Sequence, residues 1–391
     1  MKNCIEYILS KNEQRNIGLD LLRCFAILVT VYGHGVLLVS PKYRSIHNVF
    51  TSAFDGVSLF FVLSGYLIGG ILVNELKKNN FSIGQFWMRR WLRTLPAYLF
   101  TFLILILFAF ANGTFQVAYL KYLYFFQNLF SPALFFFSES WSLSIEEWFY
   151  LLFPLCILFF LFFMKKIKSA LAITIALFFI APILYTFYQY HNAIGLDNWD
   201  AYYRRIVATR LNSISLGILL VYIQTYLPSM WSKLKKSGLM LAIFCTVLSF
   251  IIPKINFHTL LYNVFIRAHL ECLIAFFAIP YLTTIKELSN PFLTKWVRLI
   301  SIISYSMYLL NLSFILRNVL VPFQKTMFFV ELGSLGYFLI YLVYWVSLFV
   351  FSILMYRYIE FPFLKLRDKI KIKPFFKSTQ SQNSNINRTV V

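Results

Sequence analysis

The sequence predicts an all-α polytopic membrane protein of about ten transmembrane helices, with both termini in the cytoplasm. Three observations predict it. Of 391 residues, 60% are hydrophobic and only 13% charged, against about a quarter charged in a soluble domain; no single water-soluble core of this length encloses so much apolar surface. Ten apolar stretches are long enough to span as helices. Finally, Lys and Arg alternate in abundance from one connection to the next. Of 36, 25 fall in the two terminal tails and the even-numbered connections and eight in the odd ones, with Arg23, Arg210 and Arg267 inside spans. Cytoplasmic connections carry the excess of cations, so this split sets the orientation and explains the net charge of +21 without a nucleic-acid partner. A soluble enzyme, a disordered chain and a collagen-like fibre are excluded. So is a transmembrane barrel, whose strands would alternate apolar and polar.

The stretches run approximately over 17–39, 54–74, 94–111, 143–163, 169–189, 209–226, 238–253, 264–285, 299–318 and 332–358. The first reads as a signal anchor, too long for a cleavable signal core and without a small-residue cleavage site. Its Arg23 and His34 are eleven residues apart, about three turns, so they share one helix face about 16 Å apart along the axis. Arg23 reads either as a headgroup anchor or as an anion site at the inner mouth. His34 reads either as an interfacial residue or as a proton-transfer or nucleophilic group. Asp55 opens the second stretch, as a helix cap or as a partner level with His34. Gly65 and Gly69 form a small-xxx-small packing pattern. Arg89, Arg90 and Arg93 begin the third stretch and read either as positive-inside anchors or, for Arg90 and Arg93, which face the same way, as a phosphate pocket with Arg23 at the inner side.

The connection over 112–142 is aromatic and long enough for an interfacial helix. Glu147 follows Ser144 as a capping box, whereas Glu146 has no such role and is expected level with His34. Arg267 and Glu271 in the eighth stretch are spaced to pair. Glu360 is expected to pair with a nearby Lys or Arg. His47, His191 and His258 read as interfacial residues. The five cysteines, Cys4, Cys24, Cys156, Cys245 and Cys272, form no C-x-x-C pair, so neither a disulfide framework nor a zinc site is expected; no other metal spacing is present. Without a Walker or dinucleotide glycine pattern, ATP-driven transport is not expected. Residues 1–376 form a single membrane domain, and 377–391 are expected to be a disordered cytoplasmic tail. No internal repeat of the transporter kind is visible. Ten helices with buried ionisable groups still leave a proton-coupled transporter or flippase as the alternative to an enzyme.

Seven ordered motifs resemble the acyltransferase-3 family of integral membrane acyltransferases, over Gly18 to about Asp368. GLDLLRCFAILVTVYGH resembles the first-helix signature at Arg23 and His34, and FDGVSLFFVLSGYLI the second, with Asp55. FWMRRWLRTLPAY resembles the R-x-x-R signature at Arg90 and Arg93, and WSLSIEEWFYLLFP the W-S-L-x-x-E signature at Trp141, Ser142 and Glu146. TRLNSISLG, ISYSMYLLN and YRYIEFPFLKLR resemble later, weaker patterns. Three positions depart: Asn311 stands where His is frequent, Asn212 where an acid is frequent, and Phe361 where Arg is frequent. The resemblance implies transfer of an acyl group, most often acetyl, from cytoplasmic acyl-CoA to a glycan hydroxyl at the extracytoplasmic face of the bacterial inner membrane. No permanently bound cofactor and no metal is implied. His34, Asp55 and Glu146 would then be the catalytic group and Arg23, Arg90 and Arg93 the acyl-CoA site. Asp55 or Glu146 would fix the tautomer of His34.

Overall fold

A computed structural model describes residues 15–47, 54–79, 81–255, 259–326 and 332–370. Ten helices are long and apolar enough to cross a membrane, and no strand occurs among the described residues. They are α1 (Ile17–Leu38), α2 (Gly56–Lys77), α3 (Ile83–Ala111), α4 (Ser140–Met164), α5 (Ile167–His191), α6 (Val207–Tyr226), α7 (Pro228–Ile251), α8 (Tyr262–Leu282), α9 (Pro291–Gln324) and α10 (Gly333–Lys369). The expected number is found. The expected tail over 377–391, His258 and Cys4 lie outside the described residues.

Four helices start well before their apolar stretches. α3 begins at Ile83, with Ser82 accepting from the Gln85 backbone N–H as N-cap. α7 begins at Pro228 and α9 at Pro291, each with proline in the first turn, where its missing N–H costs nothing. α4 begins at Ser140, so Ser144 lies inside it and no capping box forms with Glu147. Instead Ser144 accepts from Gln127, and Glu147 accepts from Thr94 Oγ1 at 3.0 Å. The aromatic connection carries a 3₁₀ helix over Val117–Tyr124.

At the centre, α1 packs between α2, α8 and α9, and α2 also packs on α6 and α8. The α2–α6 crossing is close because both partners use glycine. A Cβ on Gly65 would sit 2.0 Å from the Ile214 carbonyl oxygen, and one on Gly217 would sit 2.1 Å from that of Val62. The packing pattern read at Gly65 is therefore real. This crossing holds α2 against the middle of the bundle, where the ionisable side chains gather.

Candidate functional site

Three cavities follow one another through the bundle, joined by shared lining residues. One end cavity is lined by Glu75, Arg89, Arg90, Arg93 and Arg367. It shares Arg90 and Arg93 with a central cavity that adds Arg23, Ser64, Ser142, Glu146 and Tyr305. The central cavity shares Val57 and Tyr308 with a third, of about 410 Å³, which contains His34 and Asp55.

The arginine end is built by α1 and α3. Arg23 is turned inward, with a side chain only 12% exposed. Its Nη1 donates to Asp20 at 3.3 Å and to Ser301 at 3.2 Å. The headgroup-anchor reading does not describe this position. Arg90 is buried; it donates to Glu146 at 2.9 Å and to the Tyr150 hydroxyl at 2.8 Å, and its guanidinium lies 4.0 Å from the Tyr150 ring centroid. Arg93 is exposed into the cavity, and among the described residues no hydrogen bond or ion pair engages it. The three arginines do share a cavity. Arg90 is paired with Glu146, whereas Arg93 makes no hydrogen bond or ion pair among the described residues and has Glu360 within electrostatic reach.

Glu146 is not level with His34. α4 starts at Ser140, which places Glu146 six residues or about 9 Å inside the helix, against Arg90. Asp55 does not touch His34 either. It caps α2, accepting from the Val57 backbone N–H at 3.1 Å, and also accepts from Ser58 at 2.8 Å and Arg204 at 3.3 Å. Burial pushes the Asp55 carboxyl up, but Arg204 and Arg210 outweigh it and hold the group below the usual carboxylate range. The partner of His34 is Asn311: His34 Nδ1 lies 2.5 Å from Asn311 Oδ1. Glu360 accepts from Ser306 and lies within electrostatic reach of Arg93, without a close ion pair among the described residues. Arg267 pairs with Glu271 at 3.1 Å as expected.

Residues outside every sequence motif complete the His34 cavity. Arg204 and Arg205 both bind Asp200, and Arg204 lies 4.9 Å from the Trp141 ring centroid. Burial pushes the Asp200 carboxyl up, and the two arginines more than reverse this. Glu139 sits at the mouth of α4 and accepts from the Ser313 backbone N–H and hydroxyl. Burial, opposed by the Ser313 bonds, pushes Glu139 up to about 7. Arg317 donates to Ser138 and lies over the Phe135 ring. One signal could have found Arg204 and Arg205: they are adjacent cations in an odd-numbered connection, where cations are scarce. Between the cavities, the Tyr308 hydroxyl donates to the Glu139 carbonyl at 2.9 Å and lies 2.7 Å from Ser142 Oγ. Among the described residues, no group of three His, Cys, Asp or Glu is placed to hold a metal ion.

A family model for an acyltransferase domain matches residues 16–357. The chain belongs to the acyltransferase-3 family. Among its relatives is the O-acetyltransferase OatA of Staphylococcus aureus, 31% identical over 226 residues, which are 53% of this chain and 34% of that protein. The peptidoglycan O-acetyltransferase OatA of Listeria monocytogenes is 30% identical over 189 residues, 43% of this chain and 28% of that protein. An uncharacterized protein of Haemophilus influenzae is 34% identical over 146 residues, 32% of this chain and 57% of that protein. The chain thus spans about a third of the length of the OatA relatives it matches. No solved structure gives a significant match. As a member of the acyltransferase-3 family with ten apolar helices, the chain is a multi-pass membrane protein.

Proposed function

We propose that this acyltransferase-3 protein is an O-acetyltransferase of the bacterial inner membrane. It moves an acyl group, acetyl in the simplest case, from cytoplasmic acyl-CoA to a hydroxyl of an extracytoplasmic or lipid-linked glycan such as O-antigen, capsule or exopolysaccharide. The observation that carries the reading is the run of cavities from Arg93 through Tyr308 to His34. The positive-inside count assigns the Arg93 end to the cytoplasm, where acyl-CoA is available. CoA is polyanionic, and Arg93 lines the cavities with no hydrogen bond or ion pair among the described residues. The span from Arg23 to His34, about 16 Å along the helix, is comparable to the reach of a pantetheine arm.

In direct transfer, the acceptor oxygen attacks the thioester carbonyl and its proton passes to His34. The carbon–sulfur bond then breaks, and the CoA sulfur leaves with the proton from the imidazolium. In a covalent relay, a His34 nitrogen attacks the thioester carbonyl, the carbon–sulfur bond breaks and CoA leaves as the thiol with the ring proton; the acceptor oxygen then attacks the acyl group, the nitrogen–acyl bond breaks and the hydroxyl proton returns to the ring. Asp55, held ionised by Arg204, contributes by positioning Arg204 and the start of α2 rather than by touching the imidazole. Glu146 contributes by fixing Arg90. The carboxylates and aromatic faces at Asp200, Trp141 and Trp199 line the His34 cavity and suit a hydroxyl-rich acceptor.

The test is purified protein in vesicles with radiolabelled acetyl-CoA and a total glycan extract, wild type beside His34→Ala. Label on glycan and free CoA thiol with wild type only supports the reading. A substrate that crosses the vesicle membrane unchanged, with no thiol released, would replace it with transport.

A further inference from the structure

Of the three positions that depart from the family pattern, Asn311 is bonded to His34. Asn311 is fully buried and begins a π-helical stretch, Asn311–Leu320, within α9; such stretches are rare and concentrate at functional sites. Its Nδ2 donates to the Met307 carbonyl at 3.0 Å and to the Tyr308 carbonyl at 2.6 Å. Both partners are acceptors only, so this end of the amide is the NH₂ and the other end is oxygen. That oxygen lies 2.5 Å from His34 Nδ1. Two lone pairs cannot face each other at this distance, so Nδ1 carries the hydrogen. In the neutral ring the lone pair is then on Nε2, which has no hydrogen-bond partner among the described residues, and His34 lines the cavity.

We infer that Asn311 is a positioning residue that locks His34 in its Nδ1–H tautomer and so presents Nε2 as the proton acceptor or nucleophile. A carboxylate does this in a serine-protease triad; here an amide does it, oriented by two backbone carbonyls and carrying no charge. The kinetic consequence rests on the transfer reading above, but the tautomer itself does not.

The test is ¹⁵N-histidine labelling of the full chain in lipid nanodiscs, with two-bond ¹⁵N–¹H correlation at a pH where the ring is neutral. The His34 signals are assigned by their loss in His34→Gln. Wild type should show a protonated Nδ1 and an unprotonated Nε2. Asn311→Leu should relax His34 toward the Nε2–H form, and Asn311→Asp, protonated on the oxygen that faces the Met307 and Tyr308 carbonyls and keeping the other as acceptor, should retain Nδ1–H. In the acyl-transfer assay, Asn311→Leu should lose about a hundredfold in kcat, the scale of a positioned general base, with KM for acyl-CoA unchanged. Asn311→Asp should recover a large part of that loss. An Nε2–H tautomer in wild type overturns the inference whether or not any variant folds. So does an unaltered Nδ1–H in Asn311→Leu. A wild type that transfers no acyl group while showing the Nδ1–H tautomer would refute the function and leave the positioning role standing.

Discussion

Arg90 and Arg93 stand three residues apart on one helix face, and the structure predicts opposite consequences for their removal. Arg90 is 8% exposed and Glu146, its partner at 2.9 Å, has a side chain 14% exposed. Arg90→Ala would leave Glu146 as an uncompensated charge inside the bundle, a loss of about 3–5 kcal/mol, and would strip Tyr150 of its guanidinium partner. Replacing both members by apolar residues of similar size, Arg90→Met with Glu146→Leu, should return most of that stability. Arg93 has no ion-pair partner among the described residues and is exposed, so Arg93→Ala should cost less than about 0.5 kcal/mol. It should instead remove one charge-assisted contact to acyl-CoA, worth about 1.5–3 kcal/mol, or roughly tenfold to a hundredfold in affinity. The assay pairs thermal unfolding of detergent-purified variants with calorimetric titration of acyl-CoA. Equal destabilisation by the two single variants would refute the division of roles. Unchanged acyl-CoA affinity in Arg93→Ala would refute the anion site.

Three further outcomes are expected. His34→Ala should abolish acyl transfer while membrane insertion, followed by fractionation, is retained; normal glycan acylation would remove His34 from the chemistry. Gly65→Ala should force α2 from α6, with an overpacking cost of about 1–3 kcal/mol, whereas Gly70→Ala, with nothing within 4 Å of its added methyl, should leave the melting temperature unchanged. Because burial raises the Glu139 carboxyl to about 7, the folded state holds that proton over a pH range where the unfolded chain has lost it. Stability should therefore fall as pH rises from the ordinary carboxylate range through about 7. Glu139→Gln should show a smaller fall than wild type, as measured by melting temperature between pH 5 and 8.

The helices were legible in the sequence because a bilayer demands long apolar runs, and nothing else in this chain resembles them. Their ends were not. The first turns of α3, α7 and α9 are amphipathic and cationic, so hydropathy stops before the helix does. That error carried into the site: with α4 starting at Ser140 rather than near 143, Glu146 moved from the His34 level to Arg90. The Arg23–His34 register was readable because both residues belong to one helix. The Asn311–His34 and Arg204–Asp55 contacts join segments 277 and 149 residues apart, and periodicity within a helix carries no information about them. Asn311 and Asn212 depart from the family pattern. The structure shows each bonded to a histidine ring, Asn311 to His34 and Asn212 to His269 at 2.7 Å.

Tyr308 bears on a demand that the whole cell makes of this fold. A channel open from end to end would short-circuit the ion gradients on which the membrane lives. The central cavity and the His34 cavity meet at Val57 and at a phenol tied to Ser142 and to the Glu139 carbonyl. A ring fastened in this way is a partition with an apolar face and no charge to conduct an ion. In the proposed transfer, only the uncharged pantetheine arm with its acyl group has to pass the partition. In the proposed transfer, electrical tightness and chemical communication would be served by the same side chain.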